Sequence, residues 1–427
     1  MTDKIMHITA NEFQKEVINA ENVVVDFYST ECPPCEALAS KFESLSLVYG
    51  NDVKFIKIFR QENKELAISL GVSSSPTLLF YKNGERVGDR LNGGIKRADI
   101  VKNLELLISK EKADVIKKSL KKSETSCDVL ILGGGPAGLT SAIYSAQAKL
   151  NTILVDKDLP GGQVKTTHMV WNYPGYEEPV SGYMLMHHMS EQAKATGVNF
   201  RSAVDVTAID LINKNVEIDG VEKINAKKII IATGSSPKVL GVKGEREYKG
   251  QGISYCATCD AKLYEGKHVI VIGGGNSAIE EALFITKFAS KVTIVHQFDK
   301  LQANKIAQEK AFANPKIEFI FEHEPREFVK NGSTLSKVIV EDLRSKEYKT
   351  LECDGVFVFA GMVPNLENFD NLLALDKWGY INVDSNMKTN IDDVFAVGDV
   401  ASKQFRQITT AVSDGTVAAI TISKELE

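Results

Sequence analysis

The sequence lacks the features that would place a protein in a membrane or on nucleic acid. No apolar run in its 427 residues approaches the roughly 20 residues that a membrane-spanning helix needs. Its first residues carry no apolar stretch typical of a secretory signal peptide. Basic residues are not in excess, because 51 Lys and Arg stand against 56 Asp and Glu, and nucleic-acid binding usually needs a basic surface. We therefore expect a cytoplasmic protein with neither a membrane nor a nucleic acid as partner.

Cysteine is scarce, and its placement is informative. Four of the six cysteines form two Cys-x-x-Cys pairs, Cys32/Cys35 and Cys256/Cys259. Structural disulfides are rare in cytoplasmic proteins, so this spacing indicates either redox catalysis or metal binding. We expect no metal site, because no further Cys or His lies at ligand spacing near the first pair. Two redox pairs in one chain suggest that one dithiol reduces the other.

The length predicts more than one domain. Residues 1–108 have the alternating strand and helix patterns of a compact α/β unit. Residues 109–125 are rich in lysine and are predicted to be a solvated linker, in part helical. Two similar glycine-rich turns follow, and the last 60 residues hold another glycine-turn motif. This pattern predicts one dinucleotide-binding domain formed by 126–240 and 363–427, with a second one inserted at 241–362.

The first unit combines three motifs. An apolar strand with Asp26 in its middle precedes Cys32-Pro-Pro-Cys35, and Ser75-Pro76-Thr77 follows later. This combination resembles thioredoxin. The resemblance implies that Cys32 is the nucleophile and Cys35 the resolving cysteine. It also implies that Asp26 exchanges protons with Cys35 and that Pro76 is a cis-proline facing the dithiol.

Two residues near the first dithiol depart from the thioredoxin pattern. Glu31 stands where the family usually has Trp, and Pro33 stands where it usually has Gly. A helix N-terminus stabilises a thiolate through its free amides. Prolines remove two of those amides, and an adjacent carboxylate opposes a thiolate. We therefore predict a higher pKa for Cys32 than in a typical thioredoxin, to be tested by a thiolate absorbance titration.

The second unit begins with a dinucleotide fingerprint. An apolar strand leads into Gly133, Gly135 and Gly138, and Asp156 ends the next strand. Such glycines let backbone amides approach a pyrophosphate, while the acid accepts hydrogen bonds from a ribose. A Rossmann domain that binds NAD alone is the alternative at this point.

Two further segments read Gly161-Gly-Gln163 and Trp171-Asn-Tyr-Pro-Gly175. They resemble the FAD-contacting loops of bacterial, low-molecular-weight thioredoxin reductases, and the resemblance extends over residues 126–427. The resemblance implies FAD as cofactor, with Asp399 holding its ribityl chain and Arg406 with Gln407 packing on its ring system. The other residues that it assigns to FAD are Pro136, Ala137, Gly162, Gln163, Asn172, Thr233 and Gly234.

The second dithiol is followed by Asp260, and it precedes the second fingerprint directly. This position matches the active site of low-molecular-weight thioredoxin reductases. The resemblance implies that Cys259 receives electrons from the flavin, that Cys256 attacks the partner disulfide, and that Asp260 donates and accepts the proton.

The second fingerprint resembles a nicotinamide-binding loop, but the segment after it differs from the family pattern. NADPH-dependent members carry His-Arg-Arg-x-x-x-Arg, whose arginines grip the 2′-phosphate. Here the segment reads His-Gln-Phe-Asp-Lys-Leu-Gln from His296, so Gln297 is assigned to the nucleotide instead. NADH is the favoured donor, with NADPH held by Lys300 and Lys305 and a ferredoxin donor as alternatives. The fingerprint residues assigned to the nicotinamide nucleotide are Gly273, Gly275, Asn276, Ser277 and Ala278.

These resemblances predict an α/β protein in which a thioredoxin fold precedes two Rossmann-like three-layer dinucleotide-binding domains. They imply a homodimeric thioredoxin-disulfide reductase with a fused thioredoxin. Its electrons would pass from a nicotinamide through FAD and the second dithiol to the first, within one subunit or to a neighbouring one, and then to client disulfides. They also imply a rotation of the two inner domains, with hinges near 239–244 and 361–364. The alternatives are a peroxiredoxin reductase and a reductase fed by ferredoxin.

Overall fold

A computed structural model describes residues 4–119, 122–167, 169–170, 172–332, 334–369 and 371–427, and the side chains of all of these except Cys259 and Thr334. Trp171 of the predicted flavin loop and residues 120 and 121 of the predicted linker lie outside the described residues. The chain divides into two compact units. The first comprises Met1–Gly162, Leu185–Gly234 and Leu366–Glu427, and the second comprises Gln163–Met184 and Ser235–Asn365. No helix among the described residues is long and apolar enough to cross a bilayer.

The N-terminal part of the first unit is a five-stranded sheet with helices on both faces. The strand order is β1-β3-β2-β4-β5, with β1, β2 and β3 parallel and β4 and β5 antiparallel to their neighbours. The central strand is apolar from Val23 to Tyr28 except at Asp26, because both of its faces are covered. The elements are β1 Ile5–His7, β2 Asn22–Tyr28, α1 Pro33–Tyr49, β3 Lys54–Phe59, α2 Lys64–Ser69, β4 Thr77–Lys82, β5 Glu85–Asn92, α3 Arg97–Leu107 and α4 Lys110–Ser119.

The segment predicted as a solvated linker is mostly a packed helix. α4 spans Lys110–Ser119, and its Ala113 and Ile116 are buried in the same core as α1 and α3. The two apolar residues are three positions apart and so lie on one helix face. The prediction of a linker over 109–125 gave too much weight to the lysines around them. The next strand already begins at Ser123.

The rest of the first unit is a seven-stranded sheet flanked by α5, α6 and the C-terminal helix. Its order is β8-β7-β6-β11-β10-β9, and a late strand, β22, pairs in parallel with β11. The chain therefore returns to the first dinucleotide-binding sheet after the second unit. The elements before that return are β6 Ser123–Leu132, α5 Pro136–Gln147, β7 Thr152–Asp156, α6 Gly182–Ala195, β8 Asn199–Ser202, β9 Val206–Asp210, β10 Asn215–Ile218 and β11 Glu222–Ile231.

The second unit contains a parallel sheet of order β13-β20-β14-β15-β16 and an antiparallel sheet of order β17-β18-β19. The parallel sheet carries the second fingerprint between β14 and α8. These observations confirm the α/β class. The elements from here to the C-terminus are β12 Ser235–Pro237, β13 Ile253–Ser254, α7 Ala257–Asp260, β14 His268–Ile272, α8 Asn276–Ile285, β15 Lys291–His296, α9 Lys305–Phe312, β16 Ile317–Phe321, β17 His323–Asn331, β18 Thr334–Asp342, β19 Tyr348–Glu352, β20 Gly355–Val358, β21 Met362–Pro364, β22 Val394–Ala396 and α10 Ile408–Leu426.

Candidate active site

The first dithiol lies at the start of α1. Cys32 is the N-cap residue, and the first two helical residues are prolines, which have no amide hydrogen to donate. The amide of Cys35 donates to Cys32 Sγ at 3.3 Å, and Cys32 and Cys35 form a disulfide. A thiolate formed at Cys32 on reduction would therefore meet the positive end of α1 through a single inner amide.

A second loop approaches the dithiol from across the sheet. The Ser75–Pro76 peptide bond is cis, as predicted. The carbonyl oxygen of Ser75 lies 3.4 Å from Cys32 Sγ. Arg60 Nε donates to Ser75 Oγ at 2.8 Å, so a cation fixes this loop. Arg60 was not predictable from the sequence, because a lone arginine after a strand carries no motif.

Asp26 is a buried carboxyl group in the middle of β2, with an exposed fraction of 2%. Burial raises the pKa of Asp26 to about 6, although Lys57, whose Nζ lies 3.6 Å from Oδ2, opposes this rise. Asp26 Oδ1 has no hydrogen-bond partner among the described residues. Lys57 lies directly opposite Asp26 on β3. A lysine inside the otherwise apolar strand β3 was the signal that could have identified it.

The first fingerprint forms a close-packed turn between β6 and α5. Gly133 has φ +110, and a Cβ on it would lie 2.3 Å from the carbonyl oxygen of Ala232, so only glycine fits. A Cβ on Gly138 would lie 1.9 Å from the carbonyl oxygen of Gly133. Gly135 is the N-cap of α5, and α5 then begins at Pro136 and Ala137. The turn thus offers a helix N-terminus for a pyrophosphate.

Asp156 lies beside this turn at the end of β7. Its Oδ2 accepts a hydrogen bond from the amide of Gly134 at 2.7 Å. The acid, the glycine turn and the helix N-terminus are therefore in register, which is the arrangement that an adenosine ribose and pyrophosphate require. Gly162 also closes on the turn, because a Cβ on it would lie 3.1 Å from the Cα of Gly135.

The returning segment adds a second group of residues to the same unit. Asp399 follows β22, and burial raises its pKa, opposed by Lys403 and Arg406. The guanidinium of Arg406 lies 3.6 Å from the centroid of the Tyr380 ring. Gln407 is the N-cap of α10. With Gly133, Gly135 and Asp156, these residues fit a flavin dinucleotide.

The remaining residues assigned to FAD lie in different places. Thr233 and Gly234 end the first unit after β11, and Gly234 has φ +66. Gln163 and Asn172 belong to the second unit, and the Nε2 of Gln163 donates to the carbonyl oxygen of Ser235.

The second dithiol lies at the short helix α7. Cys256 is disulfide-bonded, and its amide donates to Ser254 Oγ at 3.1 Å. Its Sγ lies 3.3 Å from Thr258 Oγ1. The amide of Asp260 donates to the carbonyl oxygen of Cys256 at 3.3 Å, which keeps Asp260 within one helical turn of the dithiol. The side chain of Cys259 lies outside the described part of the chain.

Glu245 connects this dithiol to the segment at 239–244. The Glu245 carboxylate is 1% exposed. It accepts hydrogen bonds from the amides of Leu240 at 2.9 Å and Gly241 at 2.6 Å. It also accepts one from the hydroxyl of Tyr255, the residue before Cys256, at 2.5 Å. One buried carboxylate therefore fixes both segments, and no sequence motif marks it.

The second fingerprint repeats the geometry of the first, with one exchange. Gly273 has φ +132, and a Cβ on it would lie 2.3 Å from the carbonyl oxygen of Phe359. Where Asp156 faces Gly134 in the first unit, His296 faces Gly274 here, and a Cβ on Gly274 would lie 2.6 Å from the imidazole ring. α8 starts with Asn276, Ser277 and Ala278 after the N-cap Gly275.

The loop after β15 is open to solvent. Gln297, Asp299 and Lys300 are exposed, and Phe298 packs edge-on against the His296 ring. The only cations from 297 to 305 are Lys300 and Lys305. The loop therefore presents the amide of Gln297, the ring of Phe298 and the ammonium group of Lys300 where the family pattern has three arginines.

Comparison with known proteins accounts for both parts of the chain. A family model described as "Pyridine nucleotide-disulphide oxidoreductase" matches residues 127–415, and one described as "Thioredoxin" matches residues 4–106. The thioredoxin reductase of Bacillus subtilis (strain 168) is 40% identical over 300 residues, which are 70% of this chain and 95% of the relative. The "34.2 kDa protein in rubredoxin operon" of Clostridium pasteurianum is 45% identical over 304 residues, which are 71% and 98% of the two chains.

Solved structures lead to the same family. Lactococcus lactis thioredoxin reductase in its FR conformation matches with a TM-score of 0.67 at 40% identity, over 70% of this chain and 98% of that chain. T. acidophilum thioredoxin reductase matches with a TM-score of 0.66 at 34% identity, over 70% and 99%. The chain therefore belongs to the pyridine nucleotide-disulphide oxidoreductase family as an FAD-dependent enzyme of the thioredoxin reductase type, with a thioredoxin domain joined in front of it.

Proposed function

We propose that this chain is a fused disulfide-reducing system. With FAD bound, electrons from a reduced nicotinamide would reach Cys259 and Cys256, and they would then pass to Cys32 and Cys35 and finally to client protein disulfides. The observation that carries the proposal is the presence of two disulfide-bonded cysteines, Cys32 and Cys256, each directly before a helix in a separate redox module. In such a chain the reductase is joined covalently to its own electron acceptor.

The site residues indicate where each of the two cofactors would bind. FAD, when bound, supplies a two-electron carrier between a nicotinamide and a disulfide. The first fingerprint, Asp156 and Asp399 would hold it. Arg406 is kept near it by its contact with Tyr380. We assign the glycines of the second fingerprint, Gly273 and Gly275, and the first turn of α8 to the binding of the nicotinamide nucleotide.

Transfer between the dithiols is a thiol–disulfide exchange in two steps. The reduced Cys256 thiolate attacks Cys32 Sγ, which forms a Cys256–Cys32 bond and releases Cys35 as a thiolate. Cys35 takes a proton from Asp26, whose raised pKa keeps a fraction of it protonated near neutral pH. Cys259 then attacks Cys256, which closes the second disulfide and releases Cys32 as a thiolate. We assign to Asp260 the donation and acceptance of the proton at the second dithiol.

NADH is the electron donor that the second unit favours. Each charge-assisted hydrogen bond to a phosphate contributes about 1.5–3 kcal/mol, so the loss of two or more arginines removes several kcal/mol of preference for NADPH. Gln297 and Asp299 are exposed and available to a free ribose. Binding of NADPH through Lys300 and Lys305 is the less favoured interpretation of the same loop.

A ferredoxin-type donor is the second candidate. It is favoured by the altered loop after β15, which lacks the arginines that grip the 2′-phosphate of NADPH. Stopped-flow bleaching of the flavin with NADH, NADPH and reduced ferredoxin tests all three. We expect NADH to bleach the flavin fastest. Bleaching by ferredoxin alone would overturn the nicotinamide proposal and leave the disulfide chemistry in place.

The client and the assembly are separate proposals. We favour general protein disulfides over a peroxiredoxin, because the chain carries one thioredoxin fold rather than a doubled N-terminal module. Turnover of insulin against turnover of an oxidised peroxiredoxin distinguishes the two.

We also propose a homodimer and a cytoplasmic location. Rotation at 239–244 and 361–364, with the limits of the inserted domain at 240 and 362, would let the second dithiol face the flavin and its partner in turn.

A further inference from the structure

The thioredoxin module contacts the FAD-binding part within the same compact unit, and a buried lysine is at the centre of that contact. Lys41 lies on α1, the helix that begins at the first dithiol, and is 7% exposed. Its Nζ donates to the carbonyl oxygens of Ile95 at 3.0 Å, Ser202 at 2.8 Å and Ala203 at 2.7 Å. The three ammonium protons therefore meet three acceptors, one at the end of β8 and one directly after it.

The charge on Lys41 makes this contact specific. Burial, with a smaller contribution from nearby Lys96, lowers the pKa of Lys41 to about 8, although Asp219 and Asp205 oppose the decrease. The side chain is therefore still charged at pH 7. A buried charge is tolerated only where it is fully hydrogen-bonded, and breaking its bonds leaves both the charge and the carbonyls uncompensated.

Two ion pairs flank Lys41 on the same contact. Lys96 Nζ lies 2.5 Å from Asp205 Oδ1, and Lys194 Nζ lies 2.8 Å from Glu36 Oε2. All four side chains are partly exposed, so each pair contributes little stability by itself. Their opposite polarity is informative: the thioredoxin module supplies the cation in one pair and the anion in the other. This arrangement fixes one orientation of the module.

The contact extends to residues that lie next to the first dithiol. A cleft of about 590 Å³ is lined by Pro33 from the dithiol itself and by Leu159 from the FAD-binding part. A Cβ on Gly94 would lie 3.0 Å from Asp158 Oδ1 and 3.7 Å from Leu159 Cγ. Gly94 lies beside the cis-proline loop, because Asn92 pairs with Thr77 directly after that loop.

We propose that the FAD-binding part carries a docking site for its own thioredoxin module, formed by Ser202–Asp205 with Lys194, and that the module rests there both as the disulfide and after reduction, with its dithiol face partly closed to clients. The docking stands on the contacts alone. Its effect on clients rests on the proposed function, because it requires that Cys32 reduces them.

Hydrogen exchange of the full-length, oxidised protein tests the docking without any turnover. Lys41→Met and Asp205→Lys should each raise exchange at amides of 93–97 and 199–205 by about tenfold, because each removes bonds to a charged group across the contact. Adding Lys96→Asp to Asp205→Lys restores the ion pair with reversed polarity. Protection should return about halfway, since the new ammonium also faces Lys41. Asp89→Lys is the matched control, because it breaks the exposed Lys102–Asp89 pair within the module.

Three results would overturn the docking: unchanged exchange in both single variants, no recovery in the double variant, or an equal effect of Asp89→Lys. Unchanged protection of the β2 amides shows that the module stays folded. Insulin reduction with dithiothreitol as the only reductant tests the closure separately, with an expected rise of about threefold in Asp205→Lys. An undocked variant with no such rise overturns the closure. This assay uses neither flavin nor nicotinamide, so a failure of the proposed electron donor leaves its result intact.

Discussion

Replacing Asp26 with Asn should stabilise the thioredoxin module at neutral pH. The carboxyl group is 2% exposed, and burial raises its pKa to about 6, against about 3.9 for an exposed Asp. The native module therefore binds more protons than the unfolded chain between about pH 4 and pH 6. For a raised carboxyl pKa, stability is highest below the unfolded value and is lost as the pH rises through the folded value.

The magnitude follows from those two pKa values. A difference of about 2 pH units at 1.36 kcal/mol each gives a cost of about 3 kcal/mol for the ionised carboxylate above pH 7. Asn cannot ionise and keeps nearly the same shape, so the variant avoids this cost. Below pH 4 the native carboxyl is neutral, and the two proteins should have similar stability.

Hydrogen exchange at the β2 amides of the full-length protein measures this stability for the module alone, after correction for intrinsic rates. At pH 8 the variant should exchange about 100-fold more slowly than the wild-type protein, and near pH 4 at a similar rate. Asp89→Asn, at an exposed position, is the control and should change nothing. Equal β2 exchange in Asp26→Asn and wild type at pH 8, or a wild-type stability that is flat from pH 4 to pH 8, would refute the reasoning.

Three further predictions concern the flavin, the nucleotide and the second dithiol. Asp156→Asn should weaken FAD binding by about tenfold or more, because a ribose loses a charged acceptor; fluorescence titration of the apoprotein measures this, and unchanged affinity would contradict the assignment. The double variant Gln297→Arg and Phe298→Arg should lower KM for NADPH by about tenfold or more while leaving kcat unchanged; steady-state kinetics with both nucleotides checks it. Tyr255→Phe leaves Glu245 without its hydroxyl donor and should slow insulin reduction several-fold while flavin bleaching by nicotinamide keeps its rate. Equal slowing of both steps would argue against a positioning role for Tyr255.

The sequence predicted the features that depend on short-range pattern. The apolar strand around Asp26, the glycine turn at Gly133 and the cis peptide at Pro76 all lie where their motifs indicated. Each depends on a local steric or hydrogen-bonding requirement that few residue types meet. The fold class followed from the same motifs, because they fix which strands precede which helices.

Charged residues that act through tertiary contacts were not predictable in this way. Lys41 and Lys57 read as solvated positions, since a lysine on a helix or strand is usually exposed. Their partners lie in segments that are distant in sequence or on a neighbouring strand. Glu245 was missed for the same reason. The prediction of a solvated linker was wrong over α4, because burial of Ala113 and Ile116 packs this helix on the core despite its lysines.

Trapping the bond between the two dithiols tests the central proposal most directly. In a Cys35→Ser and Cys259→Ser double variant, Cys32 and Cys256 are the remaining partners of the proposed exchange. Mild oxidation followed by peptide mass spectrometry should recover a Cys32–Cys256 disulfide as the main cross-link. A non-reducing gel then shows whether it forms within one subunit or between two. Recovery of no such peptide, with both thiols still open to alkylation, would contradict electron transfer from the second dithiol to the first.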